Sequence, residues 1–380
     1  MYHLHHHVHF RYLRILKNEL YELYIAHTLR WFAISLINIF IPIYLLGLGY
    51  ALNEVLMFYI VEFAVVLPMA FISVLISTRV GLKHTMLFHL PILLSFFIGL
   101  YFLQTIKIPL PLLAFLLGTE AAMYWMPLHS LFAKNSHKIH RGEEVARISI
   151  LPKLAAIFAP LIGGLIAVTL GFGILLILVM LILFLSIIPI FFTKEVKPHV
   201  NFSLRKFRLF FREDPKFFFA TMFQYAEGII EIVIWPIFVF LTLKSIVSVG
   251  IVGTLISVGS IVFMFSIGKL TDKLDRKFLI RVGGITLAAA WFARIFFTEP
   301  ILIYLITFLG GFFAILIDIP FTAIAYDKAS RRSRDEFIVY REIAVTTGRL
   351  LVLILALFVL EKFIVSFSLA GLASLFFLFF

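Results

Sequence analysis

Residues 268–277 read GKLTDKLDRK, six charged side chains in ten positions, between the apolar runs SIVFMFS (260–266) and FLIRVGGITLAAAWF (278–292). Charge that dense between two greasy stretches is the pattern of a short loop at a membrane surface. The rest of the chain agrees with that reading. Its 380 residues are 62% hydrophobic, 45 of them Phe, and the mean hydropathy is +1.07, against an apolar share of about 45–50% in soluble domains. The composition is that of a membrane protein.

A net charge of +12 invites a nucleic-acid partner, but that needs the basic residues on one solvated face, and here they fall in short clusters between apolar runs. No nucleic-acid partner is expected. The chain has no Cys, hence no disulfide framework and no thiolate ligand or nucleophile. The first twenty residues are polar and basic, without the apolar core and small-residue end of a cleavable signal. His3, His5, His6, His7 and His9 form a metal-capable tail in composition only, and no metal site or cofactor is assigned.

A hydrocarbon core of about 30 Å takes roughly 20 apolar residues per helix, which divides the chain into twelve spans: 25–48, 54–78, 84–104, 109–133, 147–170, 172–193, 216–241, 246–270, 278–297, 300–325, 339–360 and 362–380. With a cytoplasmic N-terminus, Arg and Lys accumulate on one side, from Arg11, Arg14 and Lys17 through Arg79 and Lys83, Lys134 to Arg147, and Lys194 to Lys216, to Lys269–Arg281 and Lys328–Arg341. The other side keeps Lys107, Lys244 and Lys362. This positive-inside bias puts both termini in the cytoplasm of a multi-pass protein of the cell membrane.

The chain also repeats itself at an offset of about 193 residues. IFIPIY (39–44) falls on VIWPIF (233–238), Gly118 on Gly311, Pro127 on Pro320, RGEEV (141–145) on RDEFI (334–338), and ISTRVGLKH (76–84) on KLTDKLDRK (269–277). Matches in one order and at one offset argue for a duplicated unit of six spans. The expected architecture is all-α: a tail (1–24), a six-helix bundle (25–193), a cytoplasmic linker (194–215) and a second six-helix bundle (216–380) in the same orientation.

That plan resembles the major facilitator superfamily, and two motifs strengthen the resemblance. The family's loop signature is matched by Gly268, Leu270, Asp272, Lys273, Arg276 and Lys277, with Asp275 at the second glycine; the first half offers Thr78, Arg79, Val80, Gly81, Leu82 and Lys83 without the acid. AAIFAPLIGG (155–164), with Pro160, Gly163 and Gly164, is similar to the fifth-span signature of many antiporters. The resemblance implies that the charged loop grips the cytoplasmic ends of the other half. Asp272 would meet a helix N-terminus, whose dipole favours a carboxylate, while Arg276 and Lys277 would pair with acids or lipid phosphates. It also implies that the first, fourth, seventh and tenth spans line a central cavity.

Ionisable residues at membrane depth cost about 2.5–3.5 kcal/mol each on insertion scales and therefore point to function. They are Arg30, Glu62, Glu120, Lys153, Glu227, Glu231, Asp318 and Arg349. Glu227 and Glu231 share a helical face, and two carboxylates this close cannot both ionise cheaply, so the pair is a proton-binding candidate. Glu120 is another, with Tyr124 and Trp125 beside it for a substrate. Lys153 and Arg349 read as structural charge pairs, with Asp318 positioned to neutralise Arg349. Arg294 is expected to snorkel to the outer surface.

No Walker A pattern or H-E-x-x-H is found, and no enzyme is expected. The expectation is a monomeric secondary active transporter of a small organic solute, coupled to H⁺ and leaning toward export through the fifth-span signature. The alternative is a lipid translocase, at which Arg30 hints, or a non-transporting receptor on the same scaffold.

Overall fold

A computed structural model describes residues 19–136, 141–191, 194–200, 202–330, 334–359 and 362–380; the histidine-rich tail lies outside them. The helices in chain order are α1 (Glu19–Ser35), α2 (Ile41–Gly47), α3 (Leu52–Val80), α4 (Leu82–Leu87), α5 (His89–Phe102), α6 (Leu110–Asn135), α7 (Arg141–Ala155), α8 (Ala159–Thr169) and α9 (Phe172–Ser186). There follow α10 (Leu204–Glu213), α11 (Pro215–Ile229), α12 (Trp235–Leu243), α13 (Ile246–Lys273), α14 (Arg276–Arg294), α15 (Pro300–Ser330), α16 (Arg334–Val359) and α17 (Phe363–Leu375).

Among the described residues nine helical stretches are long and apolar enough to cross a membrane. Only helices satisfy every backbone group within such a segment. Three expected spans fall outside that set for reasons of composition or length. Glu120 and the polar ring cluster around it dilute α6, while α14 carries Arg276, Lys277, Arg281 and Arg294. The last apolar helix, Phe363–Phe379, is short. The linker is not bare loop, since it contains α10, whose N-terminus Ser203 caps by accepting from the Lys206 amide at 3.1 Å.

The repeat seen in sequence returns as repeated packing. Pro42 and Pro236 each sit in the first turn of a new helix, where a missing N–H costs nothing. Upstream of each the helix changes pitch, to a 3₁₀ turn at Asn38–Phe40 and to a π turn at Ile230–Ile234. A Cβ on Gly118 would collide with the carbonyl oxygen of Glu62, and one on Gly311 with that of Ile256. The glycines thus let α6 lie on α3 and α15 lie on α13 at backbone distance, and all four residues obey the sequence offset.

Contacts between the first and second halves of the sequence run mainly where α3 packs on α16 and where α13 packs on α7 and α8. Of the fifth-span signature, Pro160 lies in the second of these interfaces, while Gly163 and Gly164 pack mainly within the first half. Gly163 abuts the Leu36 carbonyl, Gly164 abuts the Phe40 ring, and Pro160 fits against Gly250 and Gly253 of α13. Small residues that admit a neighbouring backbone are what tight helix packing in lipid requires.

Candidate functional site

Three groups of charge lie inside the helical body. The first joins α1, α5 and α6. Arg30 donates to Glu120 at 2.5 Å, and His89 bonds the same carboxylate oxygen at 3.1 Å. The guanidinium also lies 3.7 Å from the centre of the Tyr124 ring, a cation–π contact that takes some of its charge, and the Tyr124 hydroxyl bonds His27 at 2.6 Å. Trp125 stacks on His129, whose Nδ1 bonds the Tyr326 hydroxyl of α15 at 2.7 Å. Helical spacing builds this cluster: His27 and Arg30 are three apart, Glu120 and Tyr124 four apart, so each pair shares a face. The expected candidates Arg30, Glu120, Tyr124 and Trp125 come together here. His27, His89 and His129 complete the cluster, and an imidazole at membrane depth is the signal by which sequence points to them.

The second group joins α11 and the following π turn to α14. Glu227 accepts from the Trp291 indole N–H at 2.7 Å. Glu231 accepts from both terminal nitrogens of Arg294, at 2.5 and 3.2 Å. Arg294 is 1% exposed and is sandwiched between Trp235 and Trp291, 4.3 and 3.9 Å from the ring centres. This corrects the expectation that it snorkels: a carboxylate and two indole faces within reach are a better shell than a stretched path to the surface. His89 of α5 and Arg294 of α14 are both buried among neighbouring helices.

The third group lies where the two halves meet. Lys153 on α7 donates to the Ser260 hydroxyl of α13 at 3.2 Å, and Asp318 on α15 accepts from the Gln224 amide at 2.9 Å while attracting Lys153 electrostatically. Arg349 on α16 lies over Phe63 of α3 and Tyr225 of α11, at 4.7 and 4.9 Å from the ring centres. Asp318 therefore faces Lys153, not Arg349 as expected. Arg349 stands on the side of α16 that meets α3 and α11, whereas the hydrogen bond of Asp318 is to Gln224 of α11. Glu62 is buried on α3, within electrostatic range of Arg349. Lys153, Gln224, Tyr225, Asp318 and Arg349 are all half-buried.

The stretch 268–277, expected as a loop, is helical but for Leu274 and Asp275, ending α13 and opening α14; there Asp272 accepts from the backbone N–H of Glu143 at 3.1 Å, in the first turn of α7. The carboxylate meets a helix N-terminus in the other half of the sequence, as the motif led one to expect. Arg276 pairs with Asp327 at 2.6 Å and lies 3.7 Å from Asp272. Lys277 lies 5.9 Å from the centre of the Phe380 ring, and Gly268 is buried on α13.

The corresponding loop of the first half lacks its acid in sequence, and the linker supplies one. Glu195 accepts from the backbone N–H groups of Lys83 and His84 at 2.9 and 3.0 Å and from its neighbour Val196 at 2.8 Å. It also bonds the His84 ring at 2.5 Å. Burial by itself would raise the pKa of Glu195; the hydrogen bonds from Lys83, Val196 and His84 outweigh it and hold the carboxyl below its ordinary value. Gly81, at φ +101°, leaves no room for a Cβ beside that carboxylate. Lys83 is buried and paired with Glu22 at 2.8 Å, while Arg79 is exposed. No group of His, Asp and Glu suited to a metal ion occurs among the described residues.

A bundle of apolar helices with its charges paired inward is the form of many transporters, and known proteins resemble this one accordingly. A Bacillus subtilis (strain 168) protein called uncharacterized protein YqgE is 25% identical over 287 residues, 72% of this chain; the chain spans 64% of that relative's length. The human organic anion transporter MFSD10 (TETRAN) superposes with a TM-score of 0.68 at 12% identity, covering 97% of this chain and 99% of the other. A bacterial homologue of the iron transporter ferroportin in its outward-facing state gives 0.70 at 16% identity, over 94% and 98%. The E. coli fucose:proton symporter FucP gives 0.70 at 12% identity, over 95% and 97%. At such identities these structures speak to the fold alone. The family model for the Major Facilitator Superfamily matches residues 23–226, more than half of the sequence, and this multi-pass membrane protein is therefore a member of the Major Facilitator Superfamily.

Proposed function

We propose that the protein is a secondary active transporter that moves a small organic solute by alternating access and couples it to protons. The observation that supports this reading is that Lys153 and Arg349, one from each half of the sequence, are kept half-buried where each half meets the other, Lys153 against Ser260 and Arg349 against Phe63. Charge kept at membrane depth without a purely local partner is charge kept for a passenger. The three helices that fall short on apolarity or length, α6, α14 and α17, complete twelve spans in two six-helix bundles, 25–193 and 216–380. The linker 194–215 and both termini lie in the cytoplasm, and the monomer is the working unit.

Glu227 is the first choice for the coupling carboxylate. Its described partner is a neutral indole, so a proton can replace that interaction without stranding a cation. Glu231 and Glu120 are each engaged by an arginine, and protonating either would leave a buried guanidinium unpaired. Asp272 at the α7 N-terminus serves as the cytoplasmic latch that alternating access must break, with Arg276 and Asp327 bracing it. Export is favoured by the Pro160, Gly163 and Gly164 signature, whose Pro160 packs on Gly250 and Gly253 of α13 where the halves meet and so tunes the rocking motion. The lipid-translocase reading loses its hint, since Arg30 is engaged by Glu120.

The test is proton flux in sealed proteoliposomes holding a pH-sensitive dye, with pooled solutes added to wild type, Glu227→Gln and Glu120→Gln. Solute-dependent flux is expected in wild type and lost in Glu227→Gln. Flux that survives in Glu227→Gln and disappears in Glu120→Gln would transfer the role to Glu120. Solute movement without any proton movement would refute coupling.

A further inference from the structure

The linker helix α10 has two faces of opposite character. On one, Phe207 and Phe210 lie 5.8 and 6.2 Å from the Tyr340 ring of α16, Phe210 also lies 5.3 Å from the Phe337 ring, and Phe211 lies 5.1 and 6.1 Å from the rings of Phe218 and Phe219 on α11. Lys206 pairs with Glu336 at 2.9 Å, and the Ser203 amide donates to the Tyr340 hydroxyl at 3.1 Å. Arg205, Arg208 and Arg212 stand on the other face. Spacings of three and four align them in one helical stripe. All three are exposed, and none is paired with an acid among the described residues. Leu209, between them on the same face, is 53% exposed.

The phenylalanine contacts also fix how the helix lies. Its C-terminal end rests on Phe218 and Phe219, at the start of α11, and its N-terminal end on Phe337 and Tyr340, at the start of α16. Both contacts fall within about two turns of the point where a membrane-spanning helix begins, so α10 runs across the ends of α11 and α16 and not away from them. The apolar stretch that opens with α11, Pro215–Leu243, has 29 residues, about 43 Å at the helical rise. A bilayer measured through its headgroups is about 40–45 Å thick. Pro215, two residues past the end of α10, therefore lies at headgroup level.

We propose that the Arg205, Arg208 and Arg212 stripe of α10 is a docking surface for anionic phospholipid headgroups in the leaflet that the linker meets. Three guanidiniums without an acid of their own suit phosphate oxygens, which a guanidinium grips through paired N–H donors, and Leu209 gives the same face the apolar contact that an interfacial helix makes at the acyl boundary. Glu213, the one acid of α10, is turned about 100° from Arg212. The occupant is a lipid because Ser203, Lys206 and the three phenylalanines hold α10 on helices that cross the bilayer. The proposal goes beyond the transport reading and does not depend on it.

The chain has no Cys, so Leu209→Cys provides a single attachment point on this face. The full-length variant, labelled with bimane, is reconstituted in phosphatidylcholine vesicles that carry a small, equal share of 5-doxyl phosphatidylglycerol in one series and of 5-doxyl phosphatidylcholine in the other. Nitroxide quenching reports which lipid neighbours the probe, whichever way the protein is inserted. Quenching by the anionic lipid is expected to exceed that by the zwitterionic one by about fivefold or more, the effect of one arginine's full attraction to an anionic surface. The ratio should fall toward one in Arg205→Gln/Arg208→Gln/Arg212→Gln and in 1 M salt, where the screening length is about 3 Å. It should persist in Arg205→Lys/Arg208→Lys/Arg212→Lys.

Equal quenching by the two lipids, or a preference that the Gln substitutions leave unchanged, overturns the proposal. Quenching by neither lipid would put this face of α10 clear of the bilayer and overturn it as well, leaving the stripe to a soluble acidic partner. If the triple Gln variant does not fold, the single Arg→Gln variants decide: each should lose part of the preference, and three unchanged singles refute the site.

Discussion

Replacing Glu120 by Gln isolates the strongest electrostatic contact in the first group. The side chains of Arg30 and Glu120 are 6% and 3% exposed, so neither charge has water to fall back on. Removing one partner of such a pair costs about 3–5 kcal/mol, because the surviving charge is stranded. The Tyr124 face, 3.7 Å away, still holds the guanidinium and offsets about 1 kcal/mol, which leaves a loss of about 3 kcal/mol. On the entropy scale of large domains that is a fall of roughly 5 °C in Tm. Adding Arg30→Met removes the stranded charge, and the double variant should regain at least half of the loss, since apolar replacements of a whole buried pair are often neutral. The assay is thermal unfolding of the full chain in detergent, followed by tryptophan fluorescence, for wild type, both single variants and the double variant. Additive effects, with the double variant losing the sum of the singles, would refute the pairing.

Gly118→Ala and Gly311→Ala should each cost about 1–3 kcal/mol of stability through overpacking, and to similar extents, because each would drive a methyl group into the carbonyl of the equivalent residue, Glu62 or Ile256; thermal unfolding of the two variants checks this. Asp272→Ala removes the acceptor for the Glu143 amide, a helix-terminal contact worth about 0.5–2 kcal/mol, and should raise the labelling rate of a cysteine placed between the halves beside the α7 N-terminus by up to about tenfold. Glu195 has a depressed pKa in the folded protein, so its contribution is fully present above the ordinary carboxylate range near 4 and is lost as pH falls through the lowered value. Hydrogen exchange of residues 194–200, corrected for intrinsic rates, should therefore stay flat from pH 7 to about 5 and accelerate below about 4, whereas Glu195→Gln should exchange quickly throughout.

Much of the fold is legible in the chain as written. Span lengths follow from bilayer thickness, and the breaks at Pro42 and Pro236 follow from a residue with no N–H to donate. The paired contacts of Gly118 and Gly311 follow from a repeat visible at one offset. The contact of Asp272 with the α7 N-terminus was legible as well, because the motif is contiguous and its partner is a backbone feature. The candidate site was legible as a set of residues and not as a set of pairs. Arg294 passed for a surface cation because its distance from the end of α14 is visible in sequence while Trp235, Trp291 and Glu231 around it are not. The acid missing beside Gly81 was to be found far along the chain, in Glu195 of the linker.

By itself, then, the sequence determined that this is a repeated membrane-spanning helical protein with acids and bases at defined depths. Those properties are one-dimensional, since apolar length, proline and glycine position and loop charge act locally along the chain. Only the tertiary structure decided which charge answers which: Arg30 with Glu120, Arg294 with Glu231, Asp318 turned toward Lys153, and Arg349 left to aromatic faces. A side chain's partner depends on how far each helix is rotated about its axis and which helix lies against it, and those angles are set by packing of the whole bundle.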